Sequence, residues 1–192
     1  MAVHVMTSSE AVAILEALAA AGVAACVGGG WGIDALLRAQ TREHSDLDLW
    51  LPATDLEPLI AALAEIRIDR LFPWPGDRPW NFVVHDGGSR RVDLHLYEPL
   101  PDGSFHYGSV AAGHRFPATA LEGEGVIAAT AVRCEAPEWS LRWHSDYAPR
   151  PVDRHDVPLL CARVGLALPP PYEVRAQHEG EQRCGPHGCT SA

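Results

Sequence analysis

The chain has 192 residues, 47% of them hydrophobic and 21% charged, which suits one ordinary domain, alone or with a small appendage, and excludes disordered, collagen-like and repeat architectures. Its 15 basic residues against 25 acidic give a formal charge of -10, which argues against general binding to nucleic acid or an anionic membrane. Every basic residue is arginine, and the absence of lysine excludes P-loop ATPases, protein kinases and Schiff-base enzymes, each of which needs an ammonium group at its site.

Thr7 and Glu10 form a capping box that predicts a helix over 11–20, with Ile14, Leu15 and Leu18 on one face. Residues 23–27 read as a short apolar strand, broken by the glycine turn 28–30 and followed by a helix over 31–38. Residues 46–51 alternate strictly, with Asp46, Asp48 and Trp50 on one strand face and three leucines on the other. Thr54 is placed to cap a helix running to about Glu65. Further strands are expected over 66–71, 81–85 and 91–96, the last two joined by Asp86-Gly87-Gly88.

The pattern weakens over 101–119, and 121–134 reads as a hairpin bent at Gly123 and Gly125. Pro137 suits the first turn of a short helix, and Asp153 is placed to cap a last helix to about Val164. Past residues 169–171 the chain turns polar and glycine-rich, so 173–192 is expected to be a disordered tail, behind a core over 1–134 and a helical extension over 135–172. No run of 18 apolar residues occurs, and Glu10 stands where a secretory signal would need basic residues before an apolar stretch, so a cytoplasmic location with no membrane attachment is expected. The odd count of five cysteines does not suit a disulfide framework; Cys26, Cys134 and Cys161 read as buried thiols.

The chemistry concentrates in aspartates. Asp46 and Asp48 lie on one strand face about one repeat apart, where their repulsion is relieved by a divalent cation with a taste for oxygen, Mg²⁺ or Mn²⁺. Asp93-Leu94-His95 repeats the spacing, and Asp93 supplies a third carboxylate if its strand is a neighbour. The upstream glycine turn opens a helix whose backbone N–H groups suit phosphate oxygens. Together these features point to a metal-complexed nucleoside triphosphate. With lysine absent, Arg42 is a candidate phosphate contact and His44 another, against a bland reading of both as loop packing. A general base is sought among Asp93, Glu138, Asp153 and Asp156; the bland readings are a helix N-terminal carboxylate for Glu138, an N-cap for Asp153 and its N3 partner for Asp156. Tyr147, Trp143 and Trp80 are candidates for a base or acceptor pocket, or for core. Trp31 is read as packing behind the glycine turn and Asp34 as a surface helix residue. In the tail, Cys184, His187 and Cys189 give three potential zinc ligands and lack a fourth unless His178 supplies it.

The run from Gly28 to Ala35, followed by Thr41-Arg42-Glu43-His44-Ser45-Asp46-Leu47-Asp48-Leu49, resembles the small antibiotic nucleotidyltransferases, the lincosamide nucleotidyltransferases and aminoglycoside 2''-adenylyltransferases of the DNA polymerase beta-like superfamily. The resemblance extends through 80–86, 91–95, 134–138, Tyr147 and 153–156, in matching order over about residues 5–168. It implies an α+β fold, a nucleotidyltransferase core with a mixed, mostly antiparallel sheet flanked by helices and a short C-terminal helical part. It also implies transfer of a nucleoside monophosphate, usually AMP from ATP, to a hydroxyl of a small molecule, with release of pyrophosphate. Asp46, Asp48 and Asp93 would hold Mg²⁺, while Gly29, Gly30, Arg42, His44 and Ser45 would meet the nucleotide. An acceptor pocket shared across a homodimer is compatible with this. The alternatives are transfer to a protein or tRNA acceptor, the latter disfavoured by the acidic balance, and a catalytically silent nucleotide-binding module.

Overall fold

The computed structural model describes residues 5–72 and 76–173, Phe72 by its backbone only. The expected tail, with Cys184, His187 and Cys189, lies outside the described residues. Helix α1 (Ser8–Ala20) carries the capping box: Thr7 Oγ1 accepts from Glu10 N–H and Glu10 accepts from Thr7 N–H. It is followed by β1 (Cys26–Val27), α2 (Gly29–Leu37), β2 (Leu47–Pro52), α3 (Leu56–Glu65), β3 (Arg70–Phe72), β4 (Asn81–His85) and β5 (Arg91–Pro99). The hairpins β6 (Ser104–Tyr107) with β7 (His114–Pro117) and β8 (Gly123–Ile127) with β9 (Thr130–Cys134) come next, then α4 (Pro137–Ser145) and α5 (Pro151–Val164).

The nine strands form one sheet, ordered β3-β4-β5-β2-β1-β9-β8, with β6 paired to the far end of β5 and β7 to β6. Only β2 with β5 and β1 with β9 are parallel, so the sheet is mixed and mostly antiparallel, as expected for the α+β class. One face packs against α1, α2 and α3 through a core that includes Ile14, Leu18, Leu49, Leu59, Leu63 and Leu94. The leucines predicted for the inner face of β2 are all fully buried there. Cys26, Cys134 and Cys161 are buried free thiols. Among the described residues no helix is long and apolar enough to cross a membrane.

Six local expectations are corrected. The first strand is only two residues long, because 23–25 lie outside any ladder. Helix α2 begins at Gly29, so the glycines are its first turn and not a linker before it. Thr54 does not cap α3: a short 3-10 turn over Ala53–Asp55 leads into the helix, and the Thr54 hydroxyl donates to Asp55 instead. The weak stretch 101–119 contains a real hairpin, β6–β7. The bend of β8–β9 falls at Ala128 and Ala129, both with positive φ, while Gly125 sits inside β8 because a Cβ there would come within 2.6 Å of the Ala35 carbonyl carbon of α2. Asp153 is the N3 residue of α5 rather than its N-cap, which is Arg150.

Candidate active site

The parallel pairing of β2 with β5 puts Asp48 directly opposite Asp93, and Asp46 stands immediately before β2. His95, two residues along β5, faces the same way, and Asp48, Asp93 and His95 bring one ligand atom each within 4.8 Å of one another. His95 Nε2 lies 3.4 Å from Asp48 Oδ1, and its Nδ1 lies 3.0 Å from the Tyr107 hydroxyl of β6. Asn81 on β4 donates to Asp93 Oδ1 at 2.7 Å, and Ser45 Oγ donates to Asp46 at 3.1 Å.

These neighbours separate the three carboxyls. Burial would raise Asp48, but the hydrogen bond and charge of His95 outweigh it and hold the group below its ordinary range. Burial, and then the repulsion of Asp48, raise Asp46. Burial also lifts Asp93, to about 6; His95 opposes the shift and the other two aspartates add to it. For His95 burial acts downward, yet the bond to Asp48 and the charge of Asp93 prevail and raise it. Crowded like charges of this kind, sharing one imidazole, form a donor set that could hold a divalent cation.

The first turn of α2 closes against this cluster. Gly29 adopts φ +54°, and a Cβ there would run into the Asp48 carboxylate, 2.6 Å from its Cγ, so both conformation and space demand glycine. Gly30 similarly faces Arg42 and His44, and a Cβ on Gly28 would meet Glu135 Oε1 at 2.5 Å. Glu135 is buried, accepts from Trp50 Nε1 at 2.7 Å, and keeps Oε2 without a hydrogen-bond partner among the described residues; burial raises its carboxyl.

The loop before β2 is tied down by side-chain hydrogen bonds to carboxylates. Arg42 donates from Nε and Nη2 to Asp156 of α5, at 2.9 and 2.7 Å. His44 Nε2 lies 2.6 Å from Asp34 Oδ2, its ring tilted by 33° against the buried Trp31 with centroids 4.3 Å apart. Asp34, expected on the surface, is buried and also accepts from the Thr41 N–H and hydroxyl. Arg42 and His44 therefore already hold carboxylate partners, and Asp156 is Arg42's counter-ion rather than a partner of Asp153.

The remaining candidates divide. Glu138 is exposed on the first turn of α4 and makes none of the contacts that define the cluster. Tyr147 donates to Asp153 at 3.0 Å, and Asp153 accepts from the Arg150 guanidinium at 2.8 and 2.9 Å. Arg150 matters more than either, because it lines a cavity of about 360 Å³ together with Ser45, Asp46, Asn81, Arg91 and Asp93. A larger groove of about 630 Å³ runs between Arg38 and β8–β9 and holds none of these aspartates. Trp80 packs against the main core. Sequence reasoning assigned no role to His95, Asn81, Tyr107, Glu135 or Arg150. The alternation of β5 was the signal for His95, which follows Asp93 at the same-face spacing.

Comparison with known proteins gives one family. The family model described as aminoglycoside-2''-adenylyltransferase matches residues 10–160. A 2''-aminoglycoside nucleotidyltransferase of Escherichia coli is 33% identical over 135 residues, 66% of this chain and 67% of that protein, and one of Klebsiella pneumoniae matches equally. Among solved structures, the lincosamide antibiotic adenylyltransferase LnuA, lincomycin-bound, superposes with a TM-score of 0.72 at 24% identity, covering 83% of this chain and 99% of that one. ANT(2'')-Ia in complex with adenylyl-2''-tobramycin gives 0.62 at 24% identity over 81% and 87%.

Proposed function

Because the chain belongs to the aminoglycoside-2''-adenylyltransferase family, we propose that it moves AMP from a magnesium–ATP complex to a hydroxyl of a small antibiotic-like acceptor and releases pyrophosphate. The observation that carries this reading is the register of Asp48 against Asp93, with Asp46 alongside and the first turn of α2 pressed on Asp48. The donor set fits the metal: Asp46, Asp48 and Asp93 would hold it, and when bound it offsets charge on the triphosphate and the departing pyrophosphate. The backbone N–H groups at Gly29 and Gly30 offer hydrogen bonds to phosphate oxygens at the positive end of α2. Arg150, whose guanidinium also pairs with Asp153, lines the aspartate cavity from the start of α5 and adds a permanent cation for the same anion beside the candidates Arg42 and His44. Asp93 accepts the proton of the attacking hydroxyl: Asn81 engages its Oδ1 and leaves Oδ2 for the acceptor. His95 keeps Asp48 ionised and correctly turned.

On this reading residues 1–134 are the transferase core and 135–172 complete the site through Glu135 and Arg150. Incubation with ATP, Mg²⁺ and either lincomycin or tobramycin should release pyrophosphate and yield an acceptor heavier by one AMP. ATP binding without release on any acceptor would favour a silent nucleotide-binding module; release only with a protein or tRNA added would favour a macromolecular acceptor.

A further inference from the structure

Beside the aspartate cluster lies a second cavity, of about 240 Å³, that the reaction described so far does not use. Its floor is Trp50, which follows Asp48 at the same-face spacing of β2, and its walls include Tyr107, Phe116, Trp139 and Trp143. Trp50 is sandwiched, stacked on His95 at 4.7 Å on one side and on Trp143 at 4.7 Å on the other. Tyr107 belongs to both places: it lines the cavity and its hydroxyl touches His95 Nδ1, which in turn meets Asp48. A molecule resting against these rings therefore sits one side chain away from the reacting centre.

The charges around this cavity do not favour a polycation. Arg142 lies 4.8 Å over the Trp139 ring, and Arg115 and His114 also line the space, against one carboxylate, Asp146. Arg115 is neutralised outside the cavity by Asp102 at 2.6 Å, so the lining is aromatic and close to neutral, with no array of carboxylates. The aspartates nearby are committed to the metal and its triphosphate. Aromatic walls reward a flat or apolar ring face, whereas several ammonium groups would be desolvated there without partners.

We propose that this cavity is the acceptor subsite and that the acceptor is a ring-bearing hydroxylated molecule with at most one ammonium group, not a polycationic aminoglycoside. The assignment rests on the transferase reading above. A cavity smaller than the roughly 300–1,000 Å³ that encloses a whole drug-sized ligand seats one ring of such an acceptor and leaves the rest outside.

The test compares lincomycin, which carries one amine, with tobramycin, which carries several, as acceptors in the pyrophosphate assay, for the unaltered protein and for Trp139→Ala. The expected result is a kcat/KM at least about 100-fold higher for lincomycin, with Trp139→Ala raising the KM for lincomycin about tenfold and leaving that for ATP unchanged. A preference for tobramycin, or a KM shift confined to ATP, overturns the inference and leaves the transferase reading standing. If neither acceptor is modified, that reading fails. Quenching of tryptophan fluorescence by lincomycin alone then decides the cavity: quenching that weakens in Trp139→Ala upholds a ring-binding site, and no quenching overturns it. Arg142→Glu, an exposed-side change that spares the packing of Trp143, should improve the relative use of tobramycin; no change in preference counts against the charge argument.

Discussion

Two acidic groups flank the first turn of α2, and they are built on opposite principles. On the side of the loop before β2, the buried carboxylates are partnered: Asp156 holds the Arg42 guanidinium in a two-pronged pair and Asp34 is hydrogen-bonded to His44. On the other side, Asp46, Asp48 and Asp93 crowd together around one imidazole, and two of the three are pushed up in pKa. The first arrangement closes the loop onto α5 and α2. The second stores repulsion that a bound cation would relieve. A buried pair is costly to break, whereas buried like charges left crowded together are characteristic of functional sites.

Substitution should separate the two groups. Asp48→Asn should lower turnover by at least about 1,000-fold while changing the melting temperature little, because the loss of the bond to His95 offsets the repulsion removed from Asp46 and Asp93. Asp156→Asn should do the reverse, lowering the free energy of unfolding by about 3 kcal/mol by leaving Arg42 without its partner, and Arg42→Met with Asp156→Leu should recover most of it. If Asp48→Asn unfolded the protein and Asp156→Asn did not, the distinction would collapse. Gly29→Ala couples the two sides: steady-state kinetics should show kcat lowered about 100-fold as the new Cβ displaces Asp48. Asn81→Ala, which strips one hydrogen bond from Asp93, should cost about tenfold in kcat.

The smallest effect concerns acid. Burial raises Asp153, but the Arg150 guanidinium and backbone N–H outweigh it and keep its carboxyl below the ordinary range. A carboxyl whose folded pKa is depressed contributes stability above the unfolded value of about 3.9, and that contribution is lost as pH falls through the folded value. Thermal melts of Asp153→Asn and the unaltered protein should differ at pH 7 and converge below about pH 4.

The sequence was most legible where a residue's role depends on near neighbours. The capping box of α1, the alternation of β2 and the bounds of β4 follow from local periodicity, and the structure repeats them. Roles set across the chain were not visible. Arg42 and Asp156 are 114 positions apart, and nothing local marks either as the other's partner. Glycine was ambiguous for a related reason: at Gly125 it reads as a bend, whereas the structure uses it to let α2 approach β8. The β6–β7 hairpin was hidden because glycine and proline dilute the alternation on which strand reading depends.

The attachment of β6–β7 has an evolutionary consequence. The hairpin pairs only with the distal end of β5, beyond the rungs that align Asp48 with Asp93. Apart from Tyr107, whose hydroxyl touches His95, its residues are free of the aspartate cluster, so on the proposed reading the acceptor wall can drift while the register of Asp48 against Asp93 is held elsewhere. On the transferase reading, what is modified is thereby set apart from how it is modified.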